Sequence, residues 1–257
     1  MNGPRSIEVV GHRGAAAYQP GNSRAAVETA LCLGVDRVEG DVRRAADGTL
    51  VLVHDEQVTL PDGSSRPVEK LSTNELRLTL PGFLTLDDWA ALLSNRAFPL
   101  IDAKRPGDEG TIAAAIERHG WVGTALVSTT DPRTVRRLRA AHPSLRVGLS
   151  TGHWAGSAPL ALGRAAGAAL RLLLPVLLPP VLRLTGATEA MLHHRVATRR
   201  LVARVHGGGR QVYVWTVNDP VEVRRVATLG VSGITSDRPD MVRRVLAEAT
   251  NADGSSS

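Results

Sequence analysis

The residues of this chain best equipped for chemistry come in short groups, each closing an apolar run: His12-Arg13-Gly14, Glu39-Gly40-Asp41, His54-Asp55 and Asp102-Ala103-Lys104. Such runs read as β-strands, so their polar side chains emerge at strand ends, where α/β enzymes keep their chemistry. Successive side chains of a strand alternate faces, so Glu39 and Asp41 point the same way with only Gly40 between them. Two carboxylates held that close repel unless they share a proton or a cation sits between them. Hard oxygen ligands without nearby cysteine favour Mg²⁺ or Ca²⁺ over zinc. On spacing alone, two ordinary surface acids at a strand end fit equally well.

His54 weighs against that plain alternative. Asp47-Gly48 is a strong hairpin turn signal, and a returning strand at 49–53, paired antiparallel with 38–42, brings His54 back beside Glu39 and Asp41. Imidazole is the side chain that titrates near neutrality, which suits proton transfer. Asp102 and Lys104 again share one face of a strand end. The chain has only one other lysine, Lys70. A compact ammonium acting as a point charge on phosphate is one reason for a lysine here; an Asp-Lys pair neutralising itself at the rim is the other.

These residues, with Pro20-Gly21-Asn22-Ser23, Trp215-Thr216-Val217-Asn218 and Gly230-Val231-Ser232-Gly233-Ile234-Thr235-Ser236-Asp237, resemble the ordered motifs of the glycerophosphodiester phosphodiesterase family. Each motif is weak alone, but the ordered set is specific and covers about residues 7 to 245. The resemblance implies a metal-dependent phosphodiester hydrolase on a TIM (β/α)8 barrel. His12 and His54 would be general acid and base, and Glu39, Asp41 and Asp102 would hold one divalent cation, Mg²⁺ or Ca²⁺. Arg13 and Lys104 would meet the phosphate oxygens. In the family pattern the substrate's glycerol hydroxyl attacks its own phosphorus, and water opens the resulting cyclic phosphate.

Two positions depart from the family pattern, which has glutamate where this chain has Gly21 and Asp102. Aspartate is one methylene shorter, so the cation must shift or accept a bridging water. Gly21 removes a carboxylate from the pocket floor without an obvious replacement; Glu28 on the following helix reads as a surface or capping charge. The leading expectation is hydrolysis of glycerophosphodiesters to an alcohol and glycerol 3-phosphate. The alternatives are a lysophospholipase D acting on lysolipids and a phosphate-ester binding protein weakened in turnover.

The elements that must position these groups are legible independently. Apolar runs at 7–11, 36–42, 98–103, 125–128, 146–149, 187–192, 212–217 and 233–236 predict eight parallel strands, with 49–53 as an extra hairpin strand after the second. Helical patterns at 24–33, 111–118, 132–141, 198–206 and 220–228 alternate with them, as βα units do. Asn22 or Ser23 and Asp219-Pro220 are fitting helix starts. The length of 257 residues suits one barrel domain over 1–250, leaving 251–257 as a disordered tail. Trp215 and Asn218 follow a strand end on the same rim, as an apolar wall and a hydrogen bond for substrate, although Trp215 fits a packing role equally. Ser128, His193 and His194 read as structural.

A net charge of +6 suits anionic partners, but aromatic residues make up only 3% of the chain and no basic helix is interleaved with them. Nucleic acid is therefore disfavoured. Cys32, the single cysteine, is expected to be buried on its helix and excludes an intramolecular disulfide. No cleavable signal is read, because the amino terminus runs straight into the first strand, and the expected location is the cytoplasm. Residues 159–184 stand apart: an uncharged Leu/Pro/Val run at 172–182 is flanked by Arg171 and Arg183. It is too short and too proline-rich to span a bilayer. It reads either as a peripheral membrane contact or as a crossover helix packed on the barrel. The first would suit a lipid phosphodiester substrate, the second a soluble small molecule.

Overall fold

The computed structural model describes residues 6–151 and 160–254. Its strands in chain order are β1 (Glu8–Gly11), β2 (Arg37–Arg44), β3 (Leu50–Leu52), β4 (Gln57–Thr59), β5 (Ser65–Pro67), β6 (Phe98–Ala103), β7 (Leu126–Thr129), β8 (Arg146–Thr151), β9 (Glu189–His193), β10 (Gln211–Trp215) and β11 (Gly233–Ser236). The helices are α1 (Arg24–Cys32), α2 (Thr73–Thr79), α3 (Leu86–Leu93), α4 (Glu109–Arg118), α5 (Pro132–Ala141), α6 (Leu160–Thr185), α7 (Arg199–Gly207), α8 (Pro220–Ala227) and α9 (Pro239–Gly254). Eight parallel strands, β1-β2-β6-β7-β8-β9-β10-β11, close on themselves through the β1–β11 and β1–β2 pairings. This is the TIM barrel expected from the alternating pattern, with β3 antiparallel outside the ring.

Period-two alternation fixes what each strand gives to the interior. On β2, Arg37, Glu39 and Asp41 share one face, while Val38 and Val42 turn out to join the large apolar layer under the helices. Val10, Leu100, Leu126, Met191 and Tyr213 form a separate apolar plug within the ring. Glycines make room for it. A Cβ on Gly233 would lie 2.4 Å from the Tyr213 ring, and one on Gly148 would lie 2.8 Å from Met191 Cγ. Beneath this plug, at the strand amino ends, Arg37 pairs with Glu8 and Arg146 with Glu189. The carboxyl ends above it are left for the site.

Several expectations are corrected. The hairpin register differs: β3 pairs Leu50–Leu52 with Arg44, Arg43 and Val42, so it meets the end of β2 rather than the whole of 38–42. On the edge that β3 uses, the start of β2 is already paired with β1, Arg37 with Val10 and Val38 with Gly11, and a turn closed between Ala45 and Thr49 starts the ladder later. Cys32 is exposed, because it closes α1 one position beyond the buried stripe of Ala26, Val27, Ala30 and Leu31. α9 continues through Gly254, so 251–254 extend a helix rather than belonging to a tail; 255–257 lie outside the described residues. From Leu160 the 159–184 segment is one helix despite Pro175, Pro179 and Pro180. The carbonyl of Pro175, which Pro179 lacks the N–H to bind, instead accepts a hydrogen bond from Arg204 Nη1 at 3.3 Å. No helix among the described residues is long and apolar enough to cross a membrane.

Candidate active site

Glu39, Asp41 and Asp102 converge as their strands require. β2 and β6 run parallel with Asp41 directly beside Asp102, and one oxygen from each of the three carboxylates lies within 4.8 Å of the others. Burial and the neighbouring Asp41 charge push the Glu39 carboxyl up to about 7. Burial opposes the Asp41 charge too, but Lys104 and Arg13 outweigh it and hold that carboxyl below its usual value. A hard cation would relieve the buried charge at Glu39, so the donor set fits Mg²⁺ or Ca²⁺.

Lys104 lies 2.7 Å from Asp41 Oδ1 and 2.6 Å from Asp102 Oδ2. It bridges two acids that would otherwise stand unscreened across the strand pair. Burial works against its charge, yet the Asp102 and Asp41 carboxylates keep its ammonium well above the ordinary lysine value. Two residues outside the expected set complete this floor. Asn22 Nδ2 donates to Asp41 Oδ2 at 2.7 Å, and Asn22 Oδ1 accepts from the Asp41 amide at 3.1 Å. Ser128 Oγ donates to Asp102 Oδ1 at 2.8 Å.

Arg13 has φ +51° and donates its backbone N–H to Glu39 Oε2 at 2.7 Å. Its Nε stands 3.1 Å from Asp41 Oδ2 without hydrogen-bond alignment. A Cβ at Gly21 would meet Arg13 Cβ at 3.0 Å and Cδ at 3.1 Å. The arginine therefore occupies the space that a side chain at 21 would need.

The two imidazoles differ in their surroundings. His12 Nδ1 is 2.6 Å from Asp237 Oδ1. Burial disfavours the imidazolium, but the Asp237 hydrogen bond and the Glu39 charge outweigh it and raise the proton affinity of His12 above the ordinary histidine value. His54 Nδ1 is 2.8 Å from Asp55 Oδ1, and the His54 side chain is 43% exposed. Its backbone carbonyl accepts from Arg43 Nε at 3.1 Å and Nη2 at 2.9 Å, which anchors the chain just after β3. In both rings the carboxylate partner takes Nδ1 and leaves Nε2 for other work.

Asn218 is placed differently from expectation. Its amide donates to Asp237 Oδ2, and its Oδ1 accepts from Ser236 Oγ and the Asp237 amide, both at 3.0 Å. Those bonds occupy it with holding Asp237, behind His12. Trp215 does line the cavity, and its buried indole N–H and the Thr235 hydroxyl lack hydrogen-bond partners. His193 packs edge-on against Trp215, and His194 pairs with Glu222 at 2.8 Å. The cavity is about 270 Å³, with His12, Arg13, Glu39, Asp41, His54, Asp102 and Lys104 in its wall.

The model of the glycerophosphoryl diester phosphodiesterase family matches residues 12–100 and 107–241. The chain belongs to this family. A Mycobacterium tuberculosis protein named "Probable glycerophosphodiester phosphodiesterase 2" is 31% identical over 95% of this chain and 92% of its own. Among solved structures, a glycerophosphodiester phosphodiesterase from Agrobacterium tumefaciens superposes with TM-score 0.72 at 24% identity, over 92% of this chain and 99% of that one. An Oleispira antarctica phosphodiesterase, solved with the product sn-glycerol-3-phosphate, gives TM-score 0.74 at 19% identity over 93% and 96% of the two chains. Family membership makes this chain a phosphoric diester hydrolase.

Proposed function

We propose that the protein hydrolyses glycerophosphodiesters to an alcohol and glycerol 3-phosphate, using one divalent cation held by Glu39, Asp41 and Asp102. The observation that carries this reading is the gathering of those acids, two carboxylate-tethered imidazoles and two basic side chains around one cavity. The product carried by the Oleispira relative supports the substrate class. When bound, the ion would supply positive charge to the phosphoryl oxygens as charge develops there.

The protein's own groups divide the remaining work. His12, whose proton affinity Asp237 raises, gives its Nε2 proton to the departing alcohol. His54 Nε2 accepts the proton of the substrate's glycerol hydroxyl as that oxygen attacks phosphorus. The cyclic phosphate so formed is opened by water with the proton traffic reversed. Arg13 and Lys104 set positive charge along the phosphate side of the cavity. Trp215 supplies an apolar wall for the substrate.

The short Asp102 still reaches within 4.8 Å of both other acids, and Arg13 fills the space beside Gly21. Both observations favour turnover over a weakened binding protein. The test is release of glycerol 3-phosphate from glycerophosphocholine by chelator-treated protein. Mg²⁺ or Ca²⁺ is expected to restore activity, and His12→Ala and His54→Ala each to lower kcat by about a hundredfold or more. Tight binding without product would support the binder instead, and lysophosphatidylcholine in the same assay distinguishes the lysolipid reading.

A further inference from the structure

α6 is apolar on two faces, and the barrel uses only one. Leu174, Leu178 and Leu182 are buried where the helix packs between α5 and α7. The opposite face presents Leu172 at 73% exposure, Leu184 at 77%, and Leu173, Val176 and Leu177 each above half. At about 100° per residue these five side chains, with Pro180, span an arc of roughly 140° that contains one charge, Arg183. Isolated exposed leucines need no explanation, but a contiguous apolar stripe on one helix does.

The charge around the stripe says what covers it. From 132 to 218 the chain has thirteen arginines and one acid, Glu189. That acid is buried in the barrel against Arg146. The remainder of the chain is net acidic, although the whole carries +6. Arg133 and Arg136 on α5, Arg171 and Arg183 on α6, and Arg199 and Arg200 on α7 are exposed. None of the six forms an ion pair with an acid among the described residues. A second copy docked across a two-fold axis would set these arginines against their own kind. An anionic lipid surface instead offers acyl chains to the leucines and phosphates to the guanidiniums.

We infer that the outer face of α6 docks this protein on anionic bilayers, as a peripheral contact separate from the catalytic cavity. The stripe starts beside the mouth of the barrel, since Arg171 Nε donates to the carbonyl of Arg195, just beyond the carboxyl end of β9. Docking there brings the rim of the site to the level of lipid headgroups. The inference rests on that placement and on charge, and stands whether or not the proposed reaction is correct.

The test is co-flotation of the full chain with phosphatidylcholine vesicles, with and without phosphatidylglycerol, beside its activity on soluble glycerophosphocholine. Binding to the anionic vesicles alone is expected, weakening as salt rises. Leu173→Glu/Leu177→Glu should lower the bound fraction at least tenfold with the circular dichroism spectrum and soluble-substrate activity unchanged. Arg199→Glu/Arg200→Glu, which leaves the leucines in place, should lower it at low salt. No binding by the unaltered protein, or binding unaffected by either variant, overturns the inference. So does a concentration-dependent dimer that the leucine variant dissolves. Activity lost in every form while vesicle binding persists would count against the hydrolase reading only.

Discussion

Asp237 is absent from the cavity wall, yet it sets the proton affinity of the imidazole that lines it. Because the His12 pKa is raised, the protonated ring persists to higher pH than an ordinary histidine would. If His12 is the acid, the alkaline limb of kcat/KM is that group losing its proton. Asp237→Asn removes the charge-assisted bond, so this limb is expected to move to lower pH, with kcat reduced about tenfold to a hundredfold. A pH–rate profile checks both, and an unmoved alkaline limb would assign that ionisation to another group. The clustered acids were legible in sequence because period two puts Glu39 with Asp41, and Asp102 with Lys104, on shared faces. Asp237 was not legible as a partner, since it lies 225 positions from His12 and meets it only because β11 closes the ring beside β1. Asn22, Ser128 and Arg43 escaped for the same reason. Each is an ordinary polar residue until the neighbouring strand ends are known.

The returning strand that delivers His54 is only three residues long, so its position depends on what braces it. Leu52 donates its amide to the Leu84 carbonyl at 3.0 Å, and Val51 forms an isolated bridge with Thr85. Thr85 is also the N-cap of α3: its hydroxyl accepts from the Asp88 amide, and the Asp88 carboxylate accepts from the Thr85 amide, each at 3.0 Å. Thr85→Ala should therefore cost about 1 kcal/mol of folding stability. Denaturant titration of the variant measures that loss, and a change in kcat approaching that of His54→Ala would show that the brace also orients the imidazole. The Asp47-Gly48 signal located this hairpin correctly. Its register was misplaced because the turn is tighter than a pairing of 49–53 with 38–42 requires: it closes between Ala45 and Thr49, with Asp47 Oδ1 accepting from the Thr49 amide and Oδ2 from the Thr73 amide. α2 and α3 went unforeseen, since seven- and eight-residue helices offer barely two turns of periodicity.

Across the whole molecule, a layer of ion pairs and the candidate active site occupy opposite ends of one barrel. At the amino ends Arg37, 2% exposed, pairs with Glu8 at 2.6 Å and donates to the Thr124 carbonyl at 2.7 Å. Tyr213 donates to Glu8 Oε2 at 2.7 Å, and Arg146 Nη2 reaches the Tyr213 hydroxyl at 3.1 Å. Nothing local in the sequence shows that strand starts far apart in the chain share one interior layer. Arg37 is buried but Glu8 keeps about a third of its side chain exposed, so Arg37→Ala, which also takes the donor from the Thr124 carbonyl, should cost about 1–3 kcal/mol. The specific activity of the remaining folded protein should stay unchanged. Glu8 gives the network a pH signature. Burial opposes its charge, but Arg37 outweighs burial, with help from Tyr213 and Arg146, and its carboxyl titrates below the usual 4.5. A depressed folded-state pKa contributes stability that is complete above the unfolded value and is lost as pH falls through the folded one. Urea midpoints should therefore decline below pH 4.5 in the wild type, and less steeply in Glu8→Gln, which starts lower at neutral pH. Parallel declines in the two proteins would mean that this carboxylate is not what couples the barrel floor to acid.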